Sequence, residues 1–159
     1  MSVETLIDGW EAAWSGHVAG AFTDVCAAGI QYEDPLTDRP LSGLAALESH
    51  ALRLWSGFPD VRLERTGARL HNGAFVAAPA KLMGTHRGPL DSLPATSRFV
   101  VVHCIFYCEL RNDLLLRVRA FYDVYDAATQ LGILPARGTL GEKALLMLRG
   151  FGLRSARGA

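Results

Sequence analysis

Two aspartates stand where a carboxylate is unfavourable unless it does chemistry or finds partners. Asp34 closes the run Gly29-Ile30-Gln31-Tyr32-Glu33-Asp34, and Asp123 closes a longer run that starts at Leu114. Both runs are strand-like and largely apolar, and desolvation opposes the charged form of an acid at the end of such a run. A carboxylate in an apolar pocket is also what moves a proton to and from carbon, because burial tunes its pKa toward neutrality. The alternative is that both mark strand ends, where Asp initiates turns. Pro35 strengthens that alternative for Asp34.

Further polar groups lie on the run from Arg98 to Leu110. His103, Ile105, Tyr107 and Glu109 share one face by two-residue alternation. If that face lines a pocket, His103 and Tyr107 are the donors to a substrate oxygen; otherwise it is an outer face or a contact between subunits. Arg119 lies on the face of Asp123 if the strand has no bulge, and an ion pair there would lower the acid's pKa. Trp10, Trp14, Phe58, His86, Arg119 and Phe121 complete the candidate substrate contacts. A core role is the alternative for the tryptophans and Phe58, and strand-end packing is the alternative for His86. His50, beside an apolar stripe, reads as a core histidine.

The chain of 159 residues is half hydrophobic, enough for one domain with a full core. Sixteen basic residues balance sixteen acidic ones, so nothing electrostatic points to nucleic acid. Cys26, Cys104 and Cys108 sit in apolar runs and read as buried thiols of a reducing compartment. No spacing of His, Cys or carboxylates suggests a metal site, and no Gly-x-Ser-x-Gly or phosphate-binding loop is present. With neither a signal peptide nor a membrane span visible, the expected location is the cytoplasm.

The elements that would position these residues follow from periodicity and punctuation. Val3, Leu6, Ile7, Trp10 and Trp14 have helical spacing, and a helix start near Ser2 suits them. A second short helix is expected to carry Ala21, Phe22, Val25 and Cys26 and to end at Gly29. Ser42 can cap a third, with the stripe Leu44, Leu47, Ala51, Leu54 and Trp55. Strands follow: Val61 to Arg65, Ala74 to about His86 after the turn His71-Asn72-Gly73, Arg98 to Leu110, and Leu114 to about Tyr125. The stretch from Arg87 to Ser97 is a loop. Thr139-Leu140-Gly141-Glu142 fits a capping box opening a last helix. This order predicts an α+β fold with helices on one face of an antiparallel sheet, as one domain over 1–136 with a C-terminal helix and tail over 137–159. The basic tail around Phe151 is expected to pack over the domain or a neighbouring subunit rather than on a membrane.

Gln31-Tyr32-Glu33-Asp34-Pro35-Leu36, then Pro40-Leu41-Ser42-Gly43, resembles the Glu-Asp-Pro segment of bacterial ketosteroid isomerases. Val118-Arg119-Ala120-Phe121-Tyr122 resembles their last strand. Gly84-Thr85-His86, Leu93-Pro94-Ala95-Thr96, and Asp123 with Gln130-Leu131-Gly132 resemble the SnoaL-like polyketide cyclases. Both resemblances imply the NTF2-like cone, a bent mixed sheet wrapped by helices around a pocket. The first implies that Asp34 is a base moving a proton along its substrate, with Trp10 where that family has its tyrosine donor. The second implies that Asp123 is the acid/base of an intramolecular aldol closure.

The expectation at this stage is an enzyme of the SnoaL-like type needing no metal or organic cofactor. It would act on a small apolar carbonyl compound through Asp123, with Asp34, His103 and Tyr107 orienting or polarising. An isomerase or epoxide hydrolase led by Asp34 is the alternative, the hydrolase requiring Asp34, Arg119 and Asp123 around one water. A non-catalytic ligand-binding or dimerisation module is the third. A homodimer is expected by resemblance.

Overall fold

In the computed structural model, which describes residues 1–18 and 20–148, α1 (Val3–Gly16) begins where the Ser2 hydroxyl accepts the Thr5 N–H at 3.1 Å. Its stripe of Leu6, Ile7, Trp10, Ala13 and Trp14 is buried, as the spacing predicts. The expected second helix is only a 3-10 turn, Ala21–Asp24. β1 (Cys26–Glu33) starts directly after it, so Gly29 lies inside the strand rather than ending a helix. β2 (Leu41–Ser42) pairs back on β1. Ser42 therefore does not cap α2 (Leu44–Gly57); Gly43 does, at φ 84. Its N–H reaches Ile30 O at 2.8 Å, and a left-handed turn this tight against β1 favours glycine.

β3 (Arg62–Arg65), β4 (Leu70–His71), β5 (Phe75–Thr85), β6 (Phe99–Arg111) and β7 (Leu114–Tyr122) complete a curled sheet in the order β2-β1-β7-β6-β5-β3, with β4 on β5. All pairings are antiparallel except β1 with β7. That parallel pair lets the N-terminal and C-terminal strands meet, and it makes the sheet mixed. The last strand stops at Tyr122, and Asp123 opens a helix the periodicity did not announce, α3 (Val124–Gln130). Thr139 caps α4 (Leu140–Leu148): its hydroxyl accepts the Glu142 N–H, while the Glu142 carboxylate accepts the Gly138 N–H. The basic stretch of the tail lies outside the described residues.

The two helices α1 and α2 cover the concave side of the sheet. There the even residues of β6, from Val100 to Cys108, join Ile30, Tyr32, Val76, Ala78, Leu115 and Val118 in the core. Trp10 is wholly buried at its centre, 5.4 to 5.9 Å ring to ring from Trp14, Phe22, Tyr32 and Phe106. The odd face of β6 points outward. Phe99, Ile105, Tyr107 and, on β7, Phe121 are exposed there. Arg69, its side chain buried, is ringed by Glu4, Asp8 and Glu11 at 2.7 to 3.0 Å and fastens the segment before β4 to α1.

Candidate functional site

The cone opens into an apolar chamber of about 200 Å³. Its walls come from α1 and α2 (Trp14, Leu54, Phe58), the sheet (Leu82, Val100, Val102, Tyr122), the 87–97 loop (Leu90, Leu93) and α3 (Ala127, Ala128, Leu131). Thirteen of the seventeen lining residues are aliphatic or alanine, and the only hydroxyl among them is that of Tyr122. A smaller recess of about 30 Å³ adjoins it, sharing Trp14, Leu54, Leu82 and Tyr122 and ending on Tyr32 and Asp34. Asp34 is therefore the polar terminus of an apolar cavity.

Local sequence explains how an acid is held there. Asp34-Pro35-Leu36-Thr37 is a tight turn: the Leu36 N–H donates to Asp34 Oδ1 at 2.8 Å, and the Thr37 N–H to Asp34 O at 3.0 Å. Tyr32, two residues back and so on the same strand face, donates its hydroxyl to Oδ2 at 2.9 Å. His50, on the buried stripe of α2, places Nε2 at 2.8 Å from the same oxygen. Burial pushes the Asp34 carboxyl up, but the hydrogen bonds from His50, the Leu36 N–H and the Tyr32 hydroxyl outweigh it and hold it below the usual carboxylate range. Burial, with the charge of Asp34 next, pushes the Tyr122 hydroxyl far above the ordinary phenol value. Tyr122 thus stays an O–H donor, and it donates to no other described residue.

The structure separates the candidates that the sequence grouped. Trp14 and Phe58 line the chamber, and Asp34 lies at the end of the adjoining recess. Trp10 lines neither cavity; surrounded by rings, it is core. His103 and Tyr107 lie on the outer face of β6, because the even residues, not the odd, meet the core. Tyr107 stacks there on Phe75 at 5.8 Å. Arg119 and Phe121 share that outer face, and Arg119 pairs with Glu33. His86 is wholly buried behind Phe58, stacked at 5.0 Å, with Nδ1 accepting the Thr96 N–H at 3.2 Å. It clamps the 87–97 loop and does not line the chamber.

Asp123 is the largest change. Its carboxylate caps α3 by accepting the Asp126 N–H at 3.0 Å, and it lies 3.6 Å from Arg137 with its side chain 55 % exposed. It lines neither the chamber nor the recess. The trio of Asp34, Arg119 and Asp123 that a hydrolase would need is accordingly not assembled. Conversely, Tyr122, Tyr32 and His50 belong to the site, and only period-two alternation from Asp34 and the helical stripe of α2 signalled the last two. Among the described residues no cluster of His, Cys, Asp and Glu could hold a metal, and no helix is long and apolar enough to cross a membrane.

A family model described as SnoaL-like polyketide cyclase matches residues 4–131. Among solved structures, a candidate SnoaL-like polyketide cyclase from Jannaschia sp. CCS1 superposes with a TM-score of 0.73 at 18% identity, over 84% of this chain and 92% of that one. IdmH, a candidate polyketide cyclase from Streptomyces antibioticus, gives 0.70 at 18%, over 81% and 97%. A protein of ketosteroid isomerase-like fold from Catenulispora acidiphila gives 0.72 at 18%, over 83% and 95%. At these identities the structural likeness speaks to the fold. No curated protein is similar enough in sequence to match.

Proposed function

The chain belongs to the SnoaL-like polyketide cyclase family, and on that premise we propose that it is a cyclase-type acid–base catalyst acting on an apolar carbonyl compound, with Asp34 as the base. The observation that supports this most is the buried Asp34 carboxylate at the inner end of an apolar chamber, beside the Tyr122 hydroxyl. Held below the usual carboxylate range, Asp34 is ionised at neutral pH and so takes a proton before it gives one. Oδ2 already accepts two hydrogen bonds, whereas Oδ1 accepts one and keeps capacity for the proton.

In this reading the substrate presents a C–H next to its carbonyl. Asp34 takes that proton, and the electron pair moves onto the carbonyl oxygen, where the Tyr122 O–H stabilises the enolate. The enolate carbon then attacks a second carbonyl of the same molecule, and Asp34 returns the proton to the new alkoxide. No cofactor is required when the substrate's own carbonyls stabilise the charge. The same pair serves isomerisation if the proton returns to a different carbon, and the position of Asp34 rather than Asp123 at the chamber favours that second reading. The volume of about 200 Å³ exceeds the roughly 150 Å³ that holds a benzene ring. It falls short of the roughly 300 Å³ where drug-sized sites begin. A substrate therefore puts about one to two rings inside. The functional unit is a homodimer formed through the exposed outer face of the sheet.

The test is exchange of the protons next to the carbonyl of bicyclic ketones such as α-tetralone in D2O, followed by NMR. Asp34→Asn is expected to slow exchange by about 10² or more, and Asp123→Asn to leave it near wild type. Exchange unaffected by Asp34→Asn, or no catalysed exchange with any ketone that binds, would overturn the proposal.

A further inference from the structure

Asp34 does not meet His50 alone; it meets the end of a chain of contacts that runs to the loop over the chamber. His50 Nε2 lies 2.8 Å from Asp34 Oδ2, and His50 Nδ1 lies 3.1 Å from Arg53 Nη2. Arg53 Nη1 in turn lies 3.2 and 3.3 Å from the two carboxylate oxygens of Asp91. Asp91 stands between Leu90 and Leu93, which line the chamber. A guanidinium has only donors, so at Arg53 the imidazole must accept. Nδ1 then carries no proton, and the single ring proton sits on Nε2 and points at Asp34. We infer that Arg53 is a positioning residue: it keeps His50 a neutral Nε2–H donor to Asp34 and, through Asp91, makes that state depend on the loop.

The consequence concerns the base itself and rests on the reading of Asp34 given above. A neutral ring offers Asp34 one hydrogen bond, whereas an imidazolium would add a full charge at the same distance and depress the proton affinity the base needs. The buried ring and carboxylate, at 4 and 1 % side-chain exposure, have little water to screen such a charge. The groups that face His50 are few. From β1 comes Tyr32, from the turn after it Asp34, from α1 the ring of Trp14 at 6.4 Å, from its own helix Arg53, and from the loop Asp91 through Arg53. Tyr122 of β7 lies near enough to Asp34 and Arg53 for both charges to act on its hydroxyl. None of these except Arg53 meets Nδ1, so its donor decides where the ring proton sits.

The experiment is ¹⁵N NMR of the histidine-labelled protein, which reports each ring nitrogen as protonated or bare, between about pH 5 and 8. Wild type is expected to show His50 with Nδ1 bare and Nε2 protonated. In Arg53→Met, which keeps the stem and removes the donors, Nδ1 is expected to gain a proton toward the acid end. Ketone proton exchange should then fall by at least about threefold at pH 5 to 6 and recover by pH 8. Arg53→Lys, still donor-only, should restore the bare Nδ1. A purely structural role would lower thermal stability and slow exchange equally at every pH. Wild-type protein with Nδ1 protonated overturns the inference whether or not the variants fold, as does an unchanged ring pattern in Arg53→Met. If the ring pattern shifts as expected but no ketone exchanges, the positioning of His50 stands and the catalytic role of Asp34 falls.

Discussion

A carboxylate with three donors around it is a weaker base than a bare one, and Asp34 has three. What offsets this is the chamber: a bound apolar ligand expels water and leaves the acid and the developing oxyanion facing each other in a medium of low polarity. Tyr122 is where that oxyanion gains its partner. Tyr122→Phe keeps the ring in the wall and deletes only the hydroxyl, so ketone binding measured by calorimetry should change little while exchange falls about 10²-fold. Equal losses in binding and exchange would instead make the tyrosine a binding group. The pH dependence follows from the direction of the Asp34 shift. A base held below the usual carboxylate range stays ionised as acid is added, so exchange should be flat from neutrality down to about pH 4 and decline only below it. The same sign governs stability. The contribution of the Asp34 cluster is fully present above the ordinary aspartate value and is lost as pH falls through the depressed one. An acid limb centred near pH 6 would show that a different group is the base.

At the level of elements, the 87–97 loop decides whether the chamber has a wall, and it is held with little tolerance. Arg87 and Gly88 donate to Gly57 O at 2.9 and 3.1 Å, and a Cβ added at Gly88 would fall 2.0 Å from Ser56 O. That neighbour is helix backbone and has nowhere to go, so Gly88→Ala should cost about 1–3 kcal/mol in chemical unfolding and weaken ketone binding as Leu90 and Leu93 lift. His86 holds the other end, and burial keeps its ring below the ordinary histidine range. An unfolded chain takes up the proton that the fold refuses. The protein should therefore lose stability as pH falls below about 6.5, a slope that His86→Gln removes. Much of this was legible in the sequence: β3, β5, β6 and β7, the helix α2 and the loop follow from alternation, apolar spacing and proline, whereas the two-residue β4 falls where a turn was expected. Two things were not. Both faces of β6 carry large apolar residues, Phe99, Ile105 and Tyr107 against Val102, Cys104 and Phe106, so alternation could not say which one meets the core. Asp123 ends a strand and caps a helix at once, and only the helix, whose residues bury little on their own, shows that its carboxylate is spent on the cap.

Across the whole molecule the same ambiguity of β6 becomes a surface. With the even residues inside, Phe99, Ile105, Tyr107 and Phe121 stand exposed on one side of the sheet, and the Phe75–Tyr107 stack widens the patch. Single exposed apolar residues are ordinary, whereas a contiguous face rimmed by polar groups marks an interaction site. Here the rim is supplied by Arg117 with Glu109 and Arg119 with Glu33. Because each sign of charge is present on that rim, a two-fold arrangement can set the arginines of one copy toward the glutamates of the other. The net charge of zero adds no repulsion between copies at neutral pH. A stable pair needs roughly 800 Å² from each partner, which a sheet face of this breadth supplies only if the centre stays apolar. Ile105 is that centre: 49 % exposed, it faces outward between Phe121 on β7 and Pro79 on β5. Ile105→Glu should convert a dimer to a monomer in sedimentation velocity at micromolar concentration while leaving ketone binding intact, since the chamber lies on the other side of the sheet. Wild-type protein sedimenting as a monomer, or a variant that remains a dimer, would remove this face from the interface. A variant that loses its dimer and its ligand binding together would show that the partner copy shapes the chamber through the sheet.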